Sequence, residues 1–183
     1  MTNPVYESLE KVRMMIAPQS TTNYRLDAGV GGGSGEDKRG MAEGYIAYAA
    51  LNAPKRKGFN KTHYKFAIDT YIDLVSSNEL RLFLNANQRI VKKLMGTKKR
   101  QYRHRAAIVR IAMHQVFRGE MTDTMCASNM QGRNAKTGKE GISRQVYTAT
   151  YKPYVDKLVD EIREHLVIAD ELVGEAKEIG KLD

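Results

Sequence analysis

Between Tyr154 and Val173, the residues Tyr154, Val155, Leu158, Val159, Ile162, Leu166, Ala169, Leu172 and Val173 repeat at the spacing of one helix face. A strand, which turns its faces every second residue, gives no such stripe. A helix from Pro153 to about Ile179 is ~40 Å long at 1.5 Å per residue. Pro153, lying within this last helical region, is expected to kink the helix or restart it. Beside the stripe stand Asp156, Asp160, Glu161, Glu164, Asp170 and Glu171, which make this helix too acidic to lie on DNA. The stripe serves either core packing or the docking of another protein.

The same period recurs along the chain. Val5, Leu9, Val12 and Ile16 mark a first helix, with Asn3 as its cap and Pro4 at its first position. From Lys38 to Leu51 a short helix carries Met41, Tyr45, Ile46 and Ala49 on one side. The run Ala53-Pro54-Lys55-Arg56-Lys57-Gly58 breaks it and supplies a small basic loop. A helix from about Asn60 to Ser76 turns Tyr64, Ala67, Tyr71, Leu74 and Val75 inward. Another, from Asn78 to Met95, is built on Leu82, Phe83, Ile90, Val91 and Leu94. Strong helix formers then run from about Lys98 to Arg118, with Ala106, Val109, Met113, Val116 and Phe117 as the apolar face. The opposite face shows Lys99, Arg100, Arg103, Arg110 and Arg118. With no alternating strand pattern and no internal repeat, the expected fold is all-α. It is a compact multi-helix domain with a helix-turn-helix-like C-terminal half and a long C-terminal helix. Residues 1–40 are expected to form an N-terminal helix and a glycine-rich linker, and residues 41–183 the main helical domain.

Charge is distributed unevenly. Residues 1–53 hold 5 Lys/Arg against 6 Asp/Glu, residues 54–144 hold 20 against 6, and residues 145–183 hold 5 against 9. The net values of −1, +14 and −4 together give the overall +9. A cationic middle between neutral and acidic ends is the footprint of a phosphate-binding surface, where each neutralised phosphate releases counterions. The alternative is a basic surface that is merely solvated.

The residues that fit such a surface best lie after Gly119. Thr122 or Asp123 can cap a short helix holding Met125, Cys126 and Met130. The loop from Gln131 to Gly141 then brings the cations Arg133, Lys136 and Lys139. Ser143 is a natural cap for the helix that follows. Val146, Ala149 and Pro153 are expected to seat it inward. Arg144, Gln145, Thr148 and Lys152 then face outward, with Tyr147 and Tyr151 beside them. Arginine pairs bidentately with guanine and glutamine with adenine, while threonine offers a methyl to thymine. Serine and tyrosine hydroxyls hold phosphates. The candidate DNA-binding set is therefore Ser143, Arg144, Gln145, Tyr147, Thr148, Tyr151 and Lys152, with Arg133, Lys136, Lys139, Lys98, Lys99, Arg100 and Arg103 on phosphates. The loop is longer than a simple helix-turn-helix turn, and an ordinary amphipathic helix with a polar solvent face is the alternative.

Other chemistries find little support. Cys126 is the single cysteine, so an intrachain disulfide and a four-cysteine zinc site are excluded, and a reducing cytosol fits. No stretch approaches the ~20 apolar residues that span a bilayer, and Glu7 and Glu10 within the first apolar segment argue against a signal peptide. Gly31-Gly32-Gly33-Ser34-Gly35 lacks the Lys-Ser/Thr pair of a phosphate loop and any preceding strand, leaving a flexible linker or threading loop. His63, His104, His114 and His165 lack metal-ligand spacing. Lys-Thr-His-Tyr and Tyr-Arg-His-Arg suggest phosphate contact or plain exposure for the first two. Carboxylates in the basic block are too few for a two-metal nuclease site. Neither a metal nor a cofactor is expected, and no enzymatic role.

The string Ser143-Arg144-Gln145-Val146-Tyr147-Thr148-Ala149-Thr150-Tyr151-Lys152-Pro153-Tyr154-Val155-Asp156-Lys157-Leu158-Val159 resembles the closing segment of the Q antitermination proteins of lambdoid phages. That segment has a Ser-Arg start, a Lys-Pro step, an Asp and a Leu-Val pair. Ile168-Ala169-Asp170-Glu171-Leu172 looks like the family's acidic tail, and Ala106-Ala107-Ile108-Val109-Arg110-Ile111-Ala112 is similar to the apolar helix before its central insert. Together these pieces cover about a third of the chain. Many members carry a cysteine-rich zinc-binding insert where residues 131–141 stand here, so zinc is not carried over. The resemblance implies a regulator of late phage genes in the bacterial cytoplasm. Such a protein binds double-stranded DNA beside the late promoter, loads onto paused bacterial RNA polymerase with its sigma factor, and suppresses pausing and termination. It places Ser143, Arg144, Gln145, Thr148 and Lys152 in the DNA-recognition helix. Rival expectations are a helix-turn-helix repressor, a phage packaging adaptor or a small phage nuclease.

Overall fold

The computed structural model describes residues 6–16, 35–57, 59–72, 104–130 and 141–180. They form α1 (Glu7–Ile16), α2 (Gly35–Leu51), α3 (Lys61–Tyr71), α4 (Arg105–Phe117), α5 (Asp123–Ser128), α6 (Arg144–Val146), a π-turn (Tyr147–Tyr151) and α7 (Lys152–Ile179). The fold is all-α, with no strand among the described residues. The helix expected at 78–95, the 98–103 segment, the glycine-rich 18–34 stretch, and Asn3 and Pro4 lie outside the described residues.

The long acidic helix is the axis of the molecule. Val155, Leu158, Val159, Ile162, Leu166, Ala169, Val173 and Ala176 of α7 are buried, and α1, α2, α3 and α4 pack around this seam. Its apolar stripe therefore serves the core. Burying each aliphatic side chain contributes ~1.5–3 kcal/mol, so the seam supplies much of the folding drive. Pro153 restarts the helix at its second position. There its missing N–H and fixed φ do least harm, and the turn before it widens into the π form. α4 is the most enclosed partner, with Ala107, Ile108, Val109, Ile111, Ala112 and Val116 all buried. Arg110 on it and Arg118 at its C-cap are exposed, as expected.

α1 belongs to the same core and is no detached appendage. Leu9 and Val12 are buried, and the Leu9 backbone N–H donates to Asp170 Oδ1 of α7 at 2.8 Å. That bond occupies an amide that a helix start leaves without an internal acceptor. The Tyr71 hydroxyl donates to Glu10 Oε2 at 3.2 Å, and Tyr6 meets the Tyr71 ring edge-on at 5.4 Å. α2 begins at Gly35 and crosses the boundary expected at 40/41. Met41, expected inward, is 51% exposed, while Ala42 and Ala49 make the buried contact. Small side chains let helices approach closely, and a methionine at that position would hold them apart. In α3, Asn60 Oδ1 caps the first turn by accepting from the Thr62 and His63 backbone N–H groups at 3.1 and 3.2 Å. The Tyr64 hydroxyl donates to Ala49 O at 3.1 Å and ties α3 to α2.

The histidines correct the sequence reading. His63, His104 and His165 are 1%, 1% and 4% exposed, so neither His63 nor His104 faces phosphate. His63 Nδ1 lies 3.2 Å from Glu161 Oε1, His165 meets Phe59 edge-on at 5.1 Å, and His104 stacks obliquely on Tyr151 at 4.6 Å. Each imidazole replaces water with an aromatic ring or a carboxylate. Among the described residues no helix is long and apolar enough to cross a membrane.

Candidate nucleic-acid interface

The candidate helix is positioned by α5. Thr122 caps α5, its Oγ1 accepting from the Met125 N–H at 3.3 Å, and Cys126, Ala127 and Met130 are buried behind it. The chain returns to α5 at Gly141, whose φ of +98° is open to glycine and strained for other residues. A Cβ there would stand 2.7 Å from both Ala127 O and Ser128 Cα. The next amide, Ile142 N–H, donates to Ala127 O at 3.0 Å. Backbone thus lies directly on backbone, and the start of α6 is fixed to the end of α5.

From that anchor Ser143 caps the helix as expected, its Oγ accepting from the Val146 N–H at 3.3 Å. Arg144, Gln145, Val146, Thr148 and Ala149 are all exposed. Residues four apart share a face, so Arg144 and Thr148 form one outward stripe and Gln145 and Ala149 its neighbour. The Thr148 hydroxyl donates to Arg144 O at 3.0 Å. The first two turns therefore present a guanidinium, a carboxamide, a hydroxyl and three small apolar groups to solvent.

Two expected members are not on this surface. Tyr147 and Tyr151 are 0% and 6% exposed and belong to the core. Val146, Ala149 and Pro153, expected inward, are exposed instead. The π-turn causes the exchange, because it carries Tyr147 and Tyr151 onto the buried seam of α7. Tyr147 is held far above the ordinary phenol range by burial, then by Cys126 beside it. Its hydroxyl offers no phosphate contact. The sequence signal that Val146 faces out was the fourth-residue repeat Tyr147, Tyr151, Val155.

Lys152 has a different role from the one expected. Its Nζ lies 3.3 Å from Asp123 Oδ1 and 3.5 Å from Asp156 Oδ1, bracing α5 against α7. Partial burial works against its charge, but Asp156 and Asp123 outweigh that and raise its pKa. It stays cationic, with its charge shared between two carboxylates. Arg133, Lys136, Lys139, Lys98, Lys99, Arg100 and Arg103 lie outside the described residues. Among the described residues no group of three His, Cys, Asp or Glu is placed to hold a metal ion.

Comparison with known proteins finds no matching family model, no matching curated protein and no matching solved structure.

Proposed function

We propose that this chain is a non-enzymatic DNA-binding protein that enters the major groove with the start of α6. The observation that carries the reading is the exposed, serine-capped patch of Arg144, Gln145, Val146, Thr148 and Ala149. Six residues from Arg144 to Ala149 span ~9 Å at 1.5 Å per residue, and the groove is about 12 Å wide. Further along, the acidic residues Asp156, Asp160 and Glu164, of which Asp156 pairs with Lys152 and Glu164 with Arg56, leave few cations free for phosphate, which favours contact at the first turns. A recognition helix reads bases with its N-terminal residues in the same way. Arg144 would pair with guanine and Gln145 with adenine, and Val146, Ala149 and the Thr148 methyl would suit thymine.

The resemblance to the Q antitermination proteins extends the proposal. The bound protein transfers to bacterial RNA polymerase with its sigma factor at a phage late promoter, in the host cytoplasm, and carries it through terminators. Transcription through a terminator tests this directly, with and without Arg144→Ala. Read-through that needs both the protein and its DNA site supports antitermination. Site-specific binding with no read-through makes the protein a repressor or packaging adaptor. Cleavage of DNA with divalent metal would make it a nuclease.

A further inference from the structure

Twenty residues before Glu164 in sequence lies the capped patch, and over Glu164 itself lies a second cationic feature. Between α2 and α3 lies an open hollow of about 540 Å³ lined by Pro54, Lys55, Arg56, Phe59, Asn60 and Lys61. Lys55, Arg56, Lys57 and Lys61 are exposed, and no acidic residue occurs between Glu43 and Asp69 in the sequence. Arg56 is committed, to Glu164 of α7 and to the Phe59 ring, whose centroid is 6.0 Å from its guanidinium carbon. Lys55, Lys57 and Lys61 have no carboxylate within ion-pair distance among the described residues, so their charge is directed to solvent.

The hollow is held in shape. The half-buried Phe59 ring packs against Tyr64 and His165, with centroids 5.4 and 5.1 Å away, and also lines the hollow. The Phe59 N–H donates to Arg56 O at 3.2 Å, closing a turn. Asn60 then caps α3 immediately after it. A positioned aromatic ring among unpaired lysines has the chemistry of a stacking platform for single-stranded nucleic acid. The ring takes a base of any identity and the ammonium groups take the flanking phosphates. Duplex DNA keeps its bases stacked on one another and gains nothing from the ring.

We propose that the Lys55–Lys61 hollow is a single-strand nucleic-acid site centred on Phe59, distinct from the α6 surface and independent of its duplex-reading role. The probe is a fluorescent 20-mer of deoxythymidylate, titrated by anisotropy beside a random 20-base-pair duplex at several salt concentrations. The variant Lys55→Gln/Lys57→Gln/Lys61→Gln should bind the single strand at least tenfold more weakly. The slope of log affinity against log salt should fall by about 2, from ~0.7 for each of three phosphates. Phe59→Leu keeps an apolar side chain against Tyr64 and His165 and should lose roughly 5- to 100-fold on the single strand, with the duplex unchanged. Circular dichroism and melting temperature confirm that each variant is folded. Arg144→Ala should leave the deoxythymidylate affinity intact, so failure of the α6 reading and failure of this one are separable. Single-strand affinity and salt slope unchanged in the triple variant would overturn the proposal. Equal losses for Phe59→Leu on both probes would overturn it too, since the ring would then act on folding or charge alone.

Discussion

Replacing Gly141 with alanine should harm this protein more than its small size suggests. At φ +98° a side chain costs of order 1–3 kcal/mol in backbone strain alone. The new methyl would also stand 2.7 Å from Ala127 O, 2.7 Å from Ser128 Cα and 2.9 Å from Ser128 O. All three are backbone atoms at the end of α5, which cannot swing aside as a flexible side chain does. Overpacking of this kind adds about 1–3 kcal/mol. The sum, ~2–6 kcal/mol, is a large part of an ordinary stability of roughly 5–15 kcal/mol. For a domain of this size it corresponds to a fall in Tm of roughly 4–24 °C. Gly119 supplies the control: its φ is +123°, but a Cβ there meets nothing within 4 Å. Gly119→Ala should show the strain without the clash and stay ~1–3 kcal/mol more stable than Gly141→Ala in urea melts. The surviving folded Gly141→Ala protein should also lose base discrimination, because this contact sets the direction of α6. Equal destabilisation by the two substitutions would refute the argument that Gly141 is a packing contact.

Arg144→Ala and Gln145→Ala should each cost ~1–3 kcal/mol at a preferred site and leave binding to random DNA nearly unchanged; equal losses on both would make them phosphate contacts. Ser143→Ala removes the cap and should lower stability by about 0.5–2 kcal/mol in denaturant melts, and an unchanged midpoint would count against the Val146 hydrogen bond. Tyr147→Ala should cost ~3–5 kcal/mol of stability as a core deletion, and a folded variant with weakened DNA binding alone would restore it to the surface. His165 is held below the ordinary imidazole range chiefly by burial, with His63 and Arg56 adding to it against the pull of Glu161 and Glu164. The unfolded chain then takes up the proton first, so stability should fall as pH drops below ~6.5. Glu161, lowered chiefly by its hydrogen bond with His63, contributes stability above ~4.5 that is lost as pH falls further through its folded value. His165→Gln should flatten urea-melt stability between pH 7.5 and 5.5, and an unaltered pH dependence would remove His165 from this account.

Helices were legible wherever the apolar spacing was strong. The α7 stripe and the Ser143 cap follow from a 3.6-residue period and from a side chain that accepts a backbone N–H bond, whereas of the apolar face expected on α4 Val109 and Val116 are buried and Ala106, Met113 and Phe117 only partly so. Alanine contacts were harder to see. Ala42 and Ala49 carry little hydropathy signal, and their burial depends on how closely α2 approaches its neighbours. The histidines were hidden for a related reason. His63 looks solvated among Lys61, Thr62 and Lys65, but its partner Glu161 is 98 residues away, and only the packing of α3 on α7 brings them together. Local composition cannot report a partner of that kind.

The face of the candidate helix turned on a competition that energies decide. Two apolar stripes are available near residue 150: Val146, Ala149 and Pro153 at spacings of three and four, and Tyr147, Tyr151 and Val155 at four and four. An α-helix advances 100° per residue, so the second stripe drifts by ~40° every four residues and the first looks better. Burial favours the second, because a tyrosine ring covers ~150–250 Å² and takes more apolar area out of water than a valine or an alanine does. A π-turn advances less per residue and removes the drift, keeping Tyr147, Tyr151 and Val155 on one seam. Pro153, which cannot donate to the turn before it, sits where that widening occurs. The same rotation leaves Arg144, Gln145 and Thr148 in solvent and adds Val146 and Ala149 to them. The aromatic pair expected on the candidate surface is what turns that surface outward.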